Sequence, residues 1–175
     1  MRPERLSWAL VQIGTAVMDQ LILGEATRVL DDRYRLSIPP ELLDALAAPQ
    51  GDCILAKERP GCLSLWSATT WPSRLEESVK VVQSKILARR LDAELDDVQR
   101  LGRLLSTRHR PVKLAGRGRL IVPEGFREFL GVEAGGAVVI LGAAVCVEIW
   151  HPDRWHQYLG ENMPAFGQLL EQLVG

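Results

Sequence analysis

The sequence predicts an α+β fold in which two copies of one half-domain are related by a pseudo-two-fold axis. Residues 30–75 align with residues 114–159 without a gap, and each residue of the second stretch follows its counterpart by 84 positions. The alignment superposes two pairs of the rare residue tryptophan, Trp66 with Trp150 and Trp71 with Trp155. A period of this length excludes a solenoid of short repeats and indicates a duplicated half-domain.

The first copy alternates short strands with one helix. Its predicted strands are 26–30, 36–38, 53–57 and 62–66. A polar turn at 31–35 separates the first two strands. Pro39 and Pro40 open a helix at 41–46, because proline suits the first helical turn. Arg59-Pro60-Gly61 supplies the turn of the following hairpin, and residues 67–70 cap a helix that starts near Trp71.

The second copy repeats this order. Its predicted strands are 112–115, 119–122, 137–141 and 145–150. Gly116-Arg117-Gly118 forms the turn before the second strand. Pro123 leads a helix at 124–130 that Gly131 closes, and His151-Pro152-Asp153 starts a helix at 154–159. Because each copy is too small to bury a core alone, we expect the two halves to pack face to face.

A helical connector and two flanking segments complete the chain. Leu75, Val79, Val82 and Ile86 form one apolar stripe; Leu95, Val98, Leu101 and Leu105 form a second after a break near Asp92. The tail 166–174 is a short amphipathic helix, and the start is either an extra helix or an upstream stretch before a true start at Met18. The expected divisions are 1–22 (extension), 23–75 (first repeat), 76–110 (connector), 111–160 (second repeat) and 161–175 (C-terminal helix).

Composition narrows the classes of function. The net charge of −1 gives no bulk signal for nucleic acid, so a DNA site must come from local clustering of cations. The three cysteines form no CxxC pair, and three histidines are too few to complete a zinc site, so we expect no metal and no cofactor. The histidines His109, His151 and His156 have no nucleophile and no metal-ligand spacing around them, and no glycine-rich phosphate loop follows a strand, so we do not expect an enzyme. The apolar stretch near the start is too broken to cross a membrane.

Two ordered segments carry a resemblance to a known family. Residues 30–39, LDDRYRLSIP, contain the pattern D-x-x-x-R followed by apolar strand residues and proline. Residues 118–131, GRLIVPEGFREFLG, repeat the strand and helix, and VEIW at 147–150 is followed by DRW at 153–155. Together with Gly24-Glu25 upstream, these segments resemble the two halves of the MraZ family, within the wider AbrB-like group of transcription factors.

The resemblance implies a fold of two pseudo-symmetric AbrB-like halves that assemble into a homo-oligomeric ring. It implies a cytoplasmic, nucleoid-associated repressor of the division and cell-wall gene cluster, which binds direct repeats in double-stranded DNA through its D-x-x-x-R turns. The family's residues map onto Asp31 and Arg35 in copy one and Arg119 in copy two. The chain departs from the pattern where Tyr34 replaces the usual glycine and Ala115 replaces the second acid, so we expect the halves to contribute unequally.

The expected DNA-facing side chains are Asp31 and the arginines Arg28, Arg33, Arg35, Arg117 and Arg119. On alternating strands, Arg33 and Arg35 would point the same way, as would Arg117 and Arg119. Guanidinium groups suit both phosphates and the guanine edge. Asp31 would accept backbone N–H bonds and hold Arg35 in place for contact with DNA. The alternative is that the Asp31–Arg35 ion pair serves only to stabilise the turn. A rival interpretation is an antitoxin-like or assembly protein without operator recognition.

Overall fold

The computed structural model describes residues 21–71, 74–88 and 95–175, and these residues form the predicted α+β fold. The strands are β1 (Glu25–Val29), β2 (Arg35–Ser37), β3 (Asp52–Arg59), β4 (Cys62–Ser67), β5 (His109–Lys113), β6 (Arg119–Ile121), β7 (Ala137–Gly142) and β8 (Val147–Trp150). The helices are α1 (Pro40–Leu46), α2 (Arg74–Leu87), α3 (Leu95–Arg108), α4 (Glu124–Leu130), α5 (Pro152–Asn162) and α6 (Phe166–Val174).

The two halves share one sheet. Its strand order is β1-β7-β8-β4-β3-β5, with every pair antiparallel, and β2 and β6 form a separate two-stranded ribbon. Exchanging each strand with its repeat counterpart maps this order onto itself, which is the predicted pseudo-two-fold symmetry. The first strand of each copy pairs with the third strand of the other copy. The halves are therefore interlocked by strand exchange, and the expected packing of two separate halves face to face is wrong.

The pseudo-two-fold axis passes through two residue pairs. Leu36 faces Leu120 in the ribbon, and Ser64 faces Glu148 in the large sheet. In both pairs the two residues are repeat counterparts. Next to the second pair, the indole of Trp66 donates to Ser64 Oγ (2.9 Å) and that of Trp150 donates to Glu148 Oε2 (2.8 Å). These tryptophans are anchors of the sheet, which explains why both copies keep them.

The ungapped register fails in one strand. Leu141 pairs with Glu25, and the repeat counterparts of these two residues are Lys57 and His109. In β5, the counterpart of β1, His109 lies opposite Ala56 and not opposite Lys57. A β-bulge between Lys57 and Arg59 absorbs this displacement of one residue. The repeat is therefore ungapped in sequence but shifted by one position along β3.

The main core lies between the sheet, the ribbon, α1 and α4. Its fully buried side chains include Leu30, Leu36, Leu55, Leu63, Leu65, Leu120, Leu130, Ile140 and Ile149. The predicted strands 62–66 and 145–150 contribute to it as expected. A second cluster covers the opposite face of the sheet, where Trp155 and Tyr158 of α5 pack against Trp150. The ribbon and α5 thus lie on opposite faces of the large sheet.

The helices follow the local sequence signals closely. Helices α4 and α6 have the predicted bounds, and Gly131 closes α4 in the left-handed conformation (φ 74°). Helices α2 and α3 confirm a helical connector, whereas the expected break near Asp92 and the expected N-terminal helix fall outside the described residues. In the described ranges no helix is long and apolar enough to span a bilayer. Cys53, Cys62 and Cys146 are buried free thiols.

Candidate nucleic-acid interface

The copy-one turn is organised by the carboxylate of Asp31. Its Oδ1 accepts hydrogen bonds from the backbone N–H groups of Arg33 (2.8 Å) and Arg35 (2.9 Å). Its Oδ2 accepts from Arg35 Nε at 2.5 Å. The backbone N–H of Arg35, together with the guanidinium, holds the pKa of Asp31 below its ordinary value, so the carboxylate is charged at neutral pH. The turn is a pre-formed loop in which Asp31 fixes the arginine that follows.

The copy-two turn is closed without an acid. Ala115 and Arg119 exchange two backbone hydrogen bonds, N–H to carbonyl in each direction, at 2.9 and 2.8 Å. The Arg119 N–H thus bonds to the Ala115 carbonyl, where its counterpart Arg35 bonds to the Asp31 carboxylate. Loss of the acid therefore leaves the turn intact, and the Arg119 guanidinium has no ion-pair partner among the residues that the structure describes.

The last residue of each turn has the same backbone conformation. Tyr34 has φ 56° and its counterpart Gly118 has φ 78°, both in the left-handed region that glycine tolerates best. The Tyr34 carbonyl accepts from Val122 N–H and the Gly118 carbonyl accepts from Ile38 N–H, each at 3.0 Å. Tyrosine in place of the glycine found in the other turn therefore preserves the turn but adopts a conformation that is unfavourable for a side chain.

A cross-half contact supports Tyr34 in this conformation. The Arg127 guanidinium carbon lies 4.0 Å from the centre of the Tyr34 ring, and Arg127 Nε donates to the Val122 carbonyl at 2.6 Å. The Tyr34 hydroxyl donates to Glu133 at 3.4 Å. At the other turn, Leu43 occupies the position of Arg127 and fills the space beside Gly118. The two halves thus carry alternative pairs, tyrosine with arginine and glycine with leucine.

Sequence reasoning missed Arg127 and Glu133. The only signal for Arg127 is the offset of 84 positions, which aligns Leu43 with Arg127 and Tyr34 with Gly118, so that both pairs differ between the copies. Tyr34 is much larger than its counterpart Gly118 and Arg127 is no smaller than its counterpart Leu43, so the two pairs fill their sites with different volumes and different chemistry. Nothing in the sequence indicated that these two positions are in contact across the halves.

The ribbon brings Arg35 and Arg119 to one face. Strand alternation buries Leu36 and Leu120 and turns Arg35, Ser37, Arg119 and Ile121 outward. Arg119 is opposite Ser37, so its Cα lies roughly 8 Å diagonally from that of Arg35 at ordinary strand spacing. The face therefore presents two guanidinium side chains over a rigid, buried leucine pair.

The other predicted arginines are placed differently. Arg33 and Arg117 are exposed but lie in the turns, ahead of the left-handed residues, so the expected strand alternation with Arg35 and Arg119 is wrong. The two turns are at opposite ends of the ribbon, with Tyr34 and Gly118 roughly 14 Å apart. Arg28 lies on β1 of the large sheet and donates to the Thr27 carbonyl at 2.9 Å.

The two turns differ in charge. Residues 31–35 contain two aspartates and two arginines and are neutral, whereas residues 115–119 contain two arginines and no acid. In copy one, the Arg35 guanidinium is bound to Asp31, so part of its charge is already neutralised. The copy that lost its acid is consequently the more cationic one, with a local charge of +2 for attraction of phosphate.

The chain is similar to proteins of one family. A family model described as "MraZ protein, putative antitoxin-like" matches residues 108–172. A protein named "Transcriptional regulator MraZ" from Roseiflexus castenholzii is 30% identical over 156 residues, which cover 87% of this chain and 99% of that one. Proteins of the same name are 29% identical in Heliobacterium modesticaldum (88% and 97% covered) and in Thermus thermophilus (87% and 98%).

Proposed function

The chain belongs to the MraZ family, and on this premise we propose that it is a sequence-specific DNA-binding repressor that acts in the cytoplasm at the nucleoid. Proteins that align with nearly the whole chain are named transcriptional regulators, and these names support a role in DNA-binding regulation of transcription. Its proposed operators are direct repeats upstream of the division and cell-wall gene cluster. The single observation that carries the proposal is the exposed ribbon face with Arg35 and Arg119.

The chemistry of this face suits duplex DNA. A guanidinium donates two parallel hydrogen bonds to a phosphate or to O6 and N7 of guanine in the major groove. Arg35 is oriented by Asp31, and Arg119 is held on a strand whose inner side is buried. Holding a long side chain in place before binding reduces the entropy that binding costs. The ribbon is therefore a pre-organised recognition element.

One ribbon alone would bind weakly. A good bidentate contact to a base contributes about 1–3 kcal/mol of discrimination, and a chain with a net charge of −1 gains little from long-range attraction. A homo-oligomeric ring would present several ribbons to successive repeats and raise their effective concentration. Multivalency explains how a nearly neutral subunit supports useful affinity.

The proposal is tested by a gel-shift titration of promoter DNA containing the direct repeats, with a scrambled duplex as competitor. The Arg35→Ala/Arg119→Ala variant should lose the specific shift. Arg154→Ala is the matched control, because it removes an exposed arginine from α5 on the opposite face of the large sheet. A specific shift that survives in the double variant would overturn the proposal.

The family model's description as antitoxin-like, together with the near-zero net charge, favours one alternative. In that case the chain would bind a small protein toxin and would not recognise an operator. Co-purification of such a toxin with the intact chain, combined with no preference for promoter DNA over the scrambled duplex, would support the alternative. No membrane or small-molecule substrate enters either proposal.

A further inference from the structure

The outward face of the ribbon is formed by two cross-strand pairs of side chains. Arg35 lies opposite Ile121, and Ser37 lies opposite Arg119. The backbone hydrogen bonds at either end of the ribbon lie one residue beyond these pairs, so both pairs occupy positions where the facing Cα atoms are only about 4.5 Å apart. Each arginine therefore emerges directly beside one side chain that is not an arginine, and both of these neighbours are exposed.

The two arginines follow the pseudo-two-fold symmetry of the ribbon, whereas their neighbours break it. Arg35 and Arg119 are repeat counterparts with the same chemistry, but the counterpart of Ser37 is Ile121. Ile121 is 56% exposed and lies outside both apolar clusters of the described residues. A branched apolar side chain is thus held in the open beside Arg35, at a position where the other copy carries a hydroxyl group.

This difference supplies what a direct repeat requires, a step that rests on the proposed function. Two equal arginines about a two-fold axis would read a duplex equally well in both directions and would suit an inverted sequence. Every box of a direct repeat has the same direction, so a subunit must distinguish one end of its box from the other. On the outward face of the ribbon, only the positions of Ser37 and Ile121 make that distinction.

We propose that Ile121 reads the methyl group of a thymine next to the guanine bound by Arg35, and that this pair gives each operator box its direction. The C5-methyl of thymine is the apolar group that base pairs present in the major groove, which is wide enough to admit a two-stranded ribbon. Isoleucine contacts that methyl but forms no hydrogen bond, so it favours thymine over the other bases. The Ser37 hydroxyl beside Arg119 both donates and accepts, so it tolerates any base or a phosphate and discriminates little.

Uracil scanning of the operator tests the methyl contact, because deoxyuridine is thymidine without the C5-methyl group. Each thymine of the box is replaced in turn, at the same position of every repeat in a promoter duplex, and affinity is measured by fluorescence anisotropy. Native protein should lose affinity about fourfold per repeat at one position of the box, which is the effect expected for one buried methyl group. A box that tolerates uracil at every position would overturn the proposal.

The Ile121→Ala variant identifies the side chain responsible. It should bind the thymine duplex more weakly than native protein and show no further loss when uracil occupies the sensitive position. Val145→Ala is the matched control, because it truncates an exposed branched side chain between β7 and β8, outside the ribbon, and should keep the native uracil effect. A uracil effect of equal size in native and Ile121→Ala proteins would show that another group reads the methyl.

The direction of reading is tested with duplexes that carry the same boxes as direct or as inverted repeats. Native protein should prefer the direct arrangement. Ile121→Ser and Ser37→Ile make the two ends of the ribbon alike in opposite ways, so each should make the two affinities nearly equal. A variant that merely weakened binding would lower both affinities together. Native preferences retained in both variants would therefore contradict the role of these positions.

The uracil scan separates the contact of Ile121 from the proposed function as a whole. Native protein with no preference for promoter over scrambled DNA would overturn both. A second result is a preference for promoter DNA that is lost in Arg35→Ala/Arg119→Ala but is insensitive to uracil at every position. That result would leave the proposed function standing and overturn the reading of thymine by Ile121.

Discussion

At the scale of single residues, the two turns reach one backbone geometry by different chemistry. In copy one, the Asp31 carboxylate receives the N–H groups of Arg33 and Arg35; in copy two, the Ala115 carbonyl receives the N–H of Arg119. The acid is thus not needed to close the turn, but in copy one it holds the Arg35 guanidinium in place. Its absence leaves Arg119 uncompensated by any described carboxylate, so the turn without the acid is the more positively charged of the two.

The ionisation of Asp31 predicts a pH dependence. Its folded-state pKa is lowered, so its contribution to stability is complete above the unfolded value of about 3.9 and is lost as pH falls through the folded value. DNA affinity should therefore not respond to Asp31 between pH 6 and 8. An NMR titration of the side-chain carboxyl should give a midpoint below 3.9, which should rise only partly in Arg35→Ala because the backbone N–H groups of residues 33 and 35 still donate to the carboxylate. A midpoint above 3.9 in the native protein would contradict the hydrogen-bonding described.

The contact between Tyr34 and Arg127 predicts a reciprocal rescue. Tyr34→Gly removes an unfavourable left-handed tyrosine but also removes the ring that the Arg127 guanidinium contacts. Arg127→Leu removes the guanidinium that lies over the Tyr34 ring. The double variant recreates the Gly118 and Leu43 pair of copy two. Urea unfolding of the four proteins should give a coupling of about 0.5–1 kcal/mol in favour of the double variant. Strict additivity of the two changes would show that the residues act independently.

At the scale of elements, local signals determined what the sequence could predict. The bounds of α4 were predictable because Pro123 precedes the helix and Gly131 ends it, and those of α6 because its periodicity is complete. The strand exchange was not predictable, because no residue pattern in β1 shows whether it pairs with a strand of its own copy or with one of the other copy. The bulge beside Glu58 likewise depends on pairing and not on a local pattern.

Helix termini provide a stability prediction at this scale. Helix α1 ends at Ala47 in the left-handed conformation (φ 49°), where its counterpart α4 ends at Gly131. Ala47→Gly should raise the free energy of unfolding by about 1 kcal/mol, because glycine adopts this conformation without steric cost. Thermal unfolding with Ala45→Gly, inside the same helix, is the control and should show destabilisation of similar size. A destabilised Ala47→Gly protein would contradict the assigned cap.

At the scale of the whole molecule, strand exchange makes the halves a single cooperative unit. We propose that 23–75 and 111–160 are repeats of one ancestral half and that neither folds alone, because each lacks the strand that completes its edge. Residues 23–75 and 109–160, the second fragment extended to include all of β5, should each give an unfolded circular dichroism spectrum when expressed separately, and mixing the two should restore β structure. A repeat that unfolds cooperatively by itself would show that the exchange is not required.

The uneven charge of the two turns also belongs to this scale, because the proposed ring would repeat it in every subunit. A neutral copy-one turn and a copy-two turn of +2 predict that phosphate contacts come mainly from copy two, whereas Arg35 contributes recognition. The resemblance predicted the site residues as a set but could not rank them. The ranking follows from the ion pair of Arg35 and the uncompensated guanidinium of Arg119.

The salt dependence of promoter binding tests the role of the ribbon most directly. In a fluorescence anisotropy titration from 50 to 200 mM salt, the native protein should show a steep negative slope of log affinity against log salt. Arg119→Ala should reduce the slope by about 0.9 for each phosphate contact removed, and Arg35→Ala should change it less while lowering the preference for promoter over scrambled DNA. Slopes and preferences equal to those of the native protein in both variants would contradict the assignment of the ribbon as the DNA interface.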